Sequence, residues 1–124
     1  NGYRDSIHHV QNYSAVTGAC LMIKKELFDK LGGLDEELAV AYNDVDFCLR
    51  LRRRGLLNVY VPQALLFHYE SKSRGYDDKG ERHERFLRES QLFRDRWQNI
   101  IDDGDPYYNV NLSKEVPWKA EIKL

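Results

Sequence analysis

Apolar residues recur at helical spacing in three stretches of the chain. In "KKELFDKLGG", residues 24–33, Leu27, Phe28 and Leu31 share one face, and Gly32-Gly33 supplies a C-terminal stop. Over 44–54, Val45, Cys48 and Leu49 form a stripe that Phe47 and Leu51 widen, and Gly55 closes the helix. Over 79–101, Phe86, Ser90, Phe93, Trp97 and Ile100 fall on steps of three and four among Arg and Glu, which predicts a long helix. Shorter apolar runs lie between these helices. "AVTGACLMIKK", 15–25, reads as a buried strand with a close backbone approach at Gly18, and "LLNVYVP", 56–62, as a strand ended by Pro62. "ALLFHYE", 64–70, is a further short run with His68 and Glu70 at its polar end. Residues 1–13 and "SKSRGYDDKG" read as loops, and "DDGDPYY" ends the long helix ahead of an irregular tail, 102–124.

The order strand, helix, helix, strand, strand, long helix has α/β character. The 124 residues make a single domain, 1–124, or part of one. An α/β sheet ordinarily has about 5–6 strands, and this chain supplies about three. The missing neighbours, and a first residue that is not methionine, lead to the expectation of a piece of a longer protein.

Composition narrows the function classes. With 19 basic against 20 acidic residues the net charge is −1, which argues against a nucleic-acid binder driven by bulk electrostatics. Arg50, Arg52, Arg53 and Arg54 read as the solvated, dipole-matched end of a helix. Two cysteines, Cys20 and Cys48, are too few for a disulfide framework and sit in apolar stretches, so they are expected as buried free thiols in the cytoplasm. No apolar run approaches the roughly 20 residues of a membrane span.

"YNDVDFCLRLRRRGL", 42–56, holds the densest candidate chemistry. Asn43 is placed to cap the helix, and Asp46 then sits at its third position, where a carboxylate favours the dipole. Asp44 is left over by that account. At a helix start facing a cleft it could take a proton from a substrate hydroxyl. "DVD" and "DGD", 103–105, both match a three-residue metal pattern, but the helix start and a turn before Pro106 explain them better. His68 and Glu70 would share one face of a strand, suited to a metal or a phosphate, or a histidine that caps a strand end. Lys72 and Arg74 add positive charge in the following loop.

Taken in order, "TGACLMIKKELFDKLGGLDEEL", "YNDVDFCLRLRRRGL" and "VYVPQALLFHYESKSRG" resemble the C-terminal half of a family 2 glycosyltransferase, and "DPYYNVNLS" resembles members that build bacterial surface polysaccharides. The similarity runs from about residue 14 to 113. It implies a partial GT-A fold: a few-stranded mixed sheet, flanking helices and a long C-terminal helix. It implies inverting transfer of a sugar from a nucleotide-diphosphate donor to a saccharide acceptor, with Asp44 as general base and Thr17, Gly18, Ala19 and Asn43 on the acceptor side. Asn43 departs from the glutamate usual there. His68 would belong to the site of a divalent cation, Mg or Mn, and Arg74 to the loop over the diphosphate. The nucleotide-binding half of the family is absent, so the chain alone is expected to be inactive. Homodimerisation through exposed sheet edges is a further expectation, and membrane association is expected to be peripheral at most. The rival reading is a non-catalytic oligomerisation or carbohydrate-binding module on the same scaffold. A third is a small metal-binding protein using His68, Glu70 and the aspartates.

Overall fold

The computed structural model describes residues 7–67, 80–113 and 115. It is mixed α/β: β1 (Gln11–Tyr13), α1 (Lys25–Lys30), α2 (Asn43–Arg53), β2 (Asn58–Tyr60) and α3 (Gly80–Asp103). Short 3₁₀ turns stand at Gly18–Cys20 and Glu36–Leu38.

The sheet departs from expectation. Among the described residues it has two strands, β1 and β2, and they are antiparallel rather than mixed, with Gln11 opposite Tyr60 and Tyr13 opposite Asn58. β1 lies in the stretch read as a loop. Three residues are too few for a period to show, and β1 is held by diagonal packing of Tyr13 on Tyr60, rings edge-on at 5.9 Å. The buried strand expected over 15–25 is absent. Residues 18–20 turn instead, and Met22 is 98% exposed. The run at 64–67 is likewise not a strand, and Leu65, Leu66 and Phe67 lie exposed.

The helices follow their patterns. α2 carries Asp44 and Asp46 in its first turn and Arg50, Arg52 and Arg53 in its last, matching the dipole at both ends. It stops at Gly55, whose φ of +76° is the left-handed conformation that lets its amide and that of Leu56 return to the Arg52 and Leu51 carbonyls. The core is where α2 meets α3: Leu38, Leu49, Phe93 and Trp97 are buried together, with Tyr42, Val45, Leu92 and Ile100 packed around them. Phe47 is fully buried on the other side of α2, its ring 5.3 Å from that of Phe28 in α1. No helix among the described residues is long and apolar enough to cross a membrane.

The arginines at the end of α2 are committed to contacts rather than simply solvated. Arg50 donates to Asp46 Oδ2 at 2.8 Å and to the carbonyls of Leu31 and Gly33, both at 2.7 Å. It thereby satisfies acceptors left open past the end of α1. Arg53 lies over the Trp97 ring, 5.3 Å from its centroid.

The cysteines also divide. Cys48 is fully buried and Cys20 is exposed, and both are free thiols. Burial pushes the Cys48 thiol above its ordinary range, outweighing the Val16 amide hydrogen bond that lowers it. In the folded chain a maleimide should therefore modify Cys20 and spare Cys48, with mass spectrometry showing one adduct and denaturant releasing the second.

Candidate functional site

The first turn of α2 is set by an unusual entry. Tyr42, the residue before α2, has a φ of +62°, a left-handed conformation that costs a non-glycine residue on the order of 1 kcal/mol. Its ring stacks on Phe93 at 4.8 Å and 19°. Glu89 of α3 holds the residues just before it: the buried carboxylate accepts from the amides of Val40 at 3.2 Å and Ala41 at 2.5 Å. α3 thus fixes where α2 begins.

From that start, Asn43 and Asp44 emerge half-buried. Asn43, the first helical residue rather than the cap, accepts through Oδ1 from the Asp44 amide at 2.7 Å. Asp44 Oδ1 accepts from the Val45 amide at 2.8 Å, and its Oδ2 accepts from the Gly18 amide at 2.7 Å, across 26 residues of sequence. Thr17, extended, caps the turn that follows, its Oγ1 accepting from the Ala19 amide at 3.3 Å. Thr17, Gly18 and Ala19 are exposed. Gly18 lets the two segments come close: a Cβ there would sit 3.2 Å from Asp44 Cβ, so Asp44 would have to give by a few tenths of an ångström. Five of the seven residues singled out from sequence, Thr17, Gly18, Ala19, Asn43 and Asp44, therefore lie together at one place. His68 and Arg74, like Glu70 and Lys72, lie outside the described residues.

The neighbouring aspartate does something different. Asp46 is fully buried, its Oδ1 accepting from Arg96 at 2.8 Å and from Trp97 Nε1 at 2.9 Å while Oδ2 takes the Arg50 bond. Asp44 and Asp46 thus face separate surroundings and make no metal-binding pair. No group of three or more His, Cys, Asp or Glu side chains among the described residues is disposed to hold a metal ion.

Arg96 extends the network to Asp35 at 2.6 Å. The Glu37 amide and the Arg96 guanidinium hold the Asp35 carboxyl below its ordinary range. A depressed folded value means stability that is present above the unfolded pKa of about 3.9 and is lost as the pH falls through the folded value. Asp35→Asn should cost about 1 kcal/mol near neutrality. Urea titrations should show that difference shrinking as the pH drops below about 4.

A second set of contacts was not read from the sequence. Asp44, Cys48 and Arg52, at steps of four on α2, meet Gly18, Val16 and Ser14, at steps of two. Cys48 Sγ accepts from the Val16 amide at 3.5 Å and its S–H faces the Val16 carbonyl at 3.7 Å. Arg52 donates to Ser14 Oγ at 2.8 Å. The spacings agree because four helical residues rise about 6 Å and two extended ones about 6.6 Å. Buried Asn58 of β2 adds to this, its Nδ2 donating to the carbonyls of Ser14 and Cys48.

Relatives share this stretch of sequence. The chain is 50% identical over 115 residues, 92% of its length, to the uncharacterized protein y4gI of Sinorhizobium fredii. It is 38% identical over 110 residues, 83% of its length, to the O-antigen biosynthesis protein RfbC of Myxococcus xanthus. Over 62 residues, half of its length, it is 39% identical to an N-acetylglucosaminyl-diphospho-decaprenol L-rhamnosyltransferase of Mycobacterium tuberculosis. It spans 12%, 8% and 20% of the lengths of these three proteins. No protein-family model matches the chain, and no solved structure matches it significantly.

Proposed function

We propose that this chain, similar over part of its length to segments of named glycosyltransferases, forms the acceptor side of a sugar-transfer site in a longer protein. On this reading the longer protein is an inverting family 2 enzyme of GT-A fold. It moves a sugar from a nucleotide diphosphate to a saccharide hydroxyl during assembly of a polysaccharide. The donor site is supplied by the remainder of that protein, so the 124-residue chain alone is inactive. Free thiols at Cys20 and Cys48 are in keeping with a cytoplasmic setting.

One observation carries the reading. Asp44 presents a half-buried carboxylate at the start of α2, against the exposed Thr17–Ala19 turn, with its orientation set by the Gly18 amide. Asp46, two residues on, is consumed by the core. In the proposed reaction the acceptor hydroxyl lies beside Thr17, Gly18, Ala19 and Asn43. Asp44 takes its proton as the oxygen attacks the anomeric carbon and the bond to the nucleotide diphosphate breaks. The departing negative charge needs a cationic partner. The proposal gives that role to Arg74 and to a divalent cation, Mg or Mn, with His68 among its ligands. His68 and Arg74 lie outside the described residues.

The test is Asp44→Asn in the full-length protein, assayed for transfer from nucleotide sugars. Transfer should fall about a hundredfold or more while the protein stays folded. Transfer at the parental rate would sink the assignment of Asp44 as base.

A further inference from the structure

The alignment of α2 with residues 14–18 has a far end, and it is anchored more heavily than its middle. Arg52 donates to Ser14 Oγ, and the Ser14 hydroxyl in turn donates to Asp105 Oδ1 at 2.6 Å. The same guanidinium lies 5.5 Å from the Tyr107 ring centroid. Asp105 also accepts from the Tyr107 amide at 2.9 Å, which shapes the turn after α3. The Ser14 side chain is thus held from two sides, by α2 and by the chain beyond α3, while Asn58 of β2 holds its carbonyl. Four residues later the same segment delivers the Gly18 amide to Asp44.

Arg52 and Asp44 are two helical turns apart and do not touch a common atom, yet one holds a side-chain hydroxyl and the other a backbone amide of the same short segment. A short segment pinned at Ser14 has little freedom to slide by the time it reaches Gly18. The middle contact, sulfur to Val16, is the weakest kind present and cannot set the register alone.

We propose that Arg52 is a positioning residue for the site: by fixing Ser14 it sets the register in which the Gly18 amide meets the Asp44 carboxylate. The catalytic consequence rests on Asp44 being the base, but the register effect is measurable without it.

The experiment is amide hydrogen exchange and amide proton shifts by NMR on the 124-residue chain, comparing the parent with Arg52→Gln, Ser14→Ala and the double variant. Gly18 should exchange about five- to tenfold faster in each single variant, the worth of about one hydrogen bond. Its amide proton should move upfield as the bond to the carboxylate loosens. The double variant should lose no more than Ser14→Ala alone, because that change already removes the Arg52 contact together with the one to Asp105. Arg52→Lys, which keeps a donor for Ser14, should restore most of the protection. Leu49, in the middle of α2, serves as the control and should be unchanged. The proposal is overturned if Gly18 is unaffected, or if Leu49 loosens in step with it, which would make the effect general destabilisation. In the full-length protein Arg52→Gln should lower kcat for transfer with little change in KM for the donor. If Asp44→Asn leaves transfer intact, the catalytic reading fails, while the Gly18 exchange still decides the role of Arg52.

Discussion

Asp46→Ala should destabilise the chain by roughly 3–5 kcal/mol, enough to leave little folded protein if its total stability is at the low end of the usual 5–15 kcal/mol. The aspartate is fully buried and joins three donors: Arg50 on its own helix, and Arg96 and Trp97 on α3. Removing the carboxylate leaves the indole N–H without its acceptor inside the core and two guanidinium groups without their shared counter-charge. Arg50 would also lose the partner that aims it at the Leu31 and Gly33 carbonyls, so the end of α1 should loosen as well. Asp46→Asn is nearly the same shape but presents an NH₂ group where one donor already sits, so it should recover only part of the loss. Urea denaturation followed by circular dichroism measures both. An unfolding free energy within about 1 kcal/mol of the parent for Asp46→Ala would show that the network is dispensable.

Glu89→Ala should cost about 2–4 kcal/mol, and its effect should centre on the start of α2. The buried carboxylate is the acceptor for two successive amides, Val40 and Ala41, immediately before a tyrosine held at positive φ. Hydrogen bonds to a charged acceptor are worth more than neutral ones. Those two restrain Tyr42 in a conformation that it would otherwise leave. Stacking of Tyr42 on Phe93 opposes the strain but does not direct the backbone. Without Glu89 the first turn of α2 should fray, and the Gly18–Asp44 contact should weaken with it. Glu89→Gln keeps one carbonyl oxygen and should fall between the two. The same urea series gives the stability loss, and backbone NMR shifts of residues 40–45 show whether it is local. A loss spread evenly over α3, with 40–45 unchanged, would contradict the account.

The helices were legible in the sequence because each shows apolar residues at helical steps and a glycine stop. The boundaries of α2 differ by only one residue from the pattern, Asn43 being its first residue rather than its cap. The strands were less so. β1 is three residues with polar side chains, too short to display alternation. The run at 15–25 is apolar without being buried, Met22 and Cys20 both lying exposed, so its composition does not mark a core strand. Asp46 was legible as an acidic residue early in a helix. Its role as the junction of the core was not, because Arg96 and Trp97 lie some fifty residues away, and no local spacing relates them. The same holds for Glu89, which reads on the sequence as one more charge on a long charged helix. The contact between Gly18 and Asp44 was hidden for that reason too, although both residues stood in the motifs that carried the resemblance.

The four-to-two correspondence between α2 and residues 14–18 has a consequence for how this stretch can change in length. Inserting a single residue between Asp44 and Cys48 turns the rest of the helix by about 100°. That would swing Cys48 and Arg52 off the segment together, however well the new residue suits a helix. One residue added between Gly18 and Ser14 would reverse the alternation of the extended chain and have the same outcome. A substitution here removes one contact directly, whereas an insertion or deletion removes several together. Homologous segments should therefore keep the spacings 14–18 and 44–52 without gaps, and length differences should collect in the loops outside them.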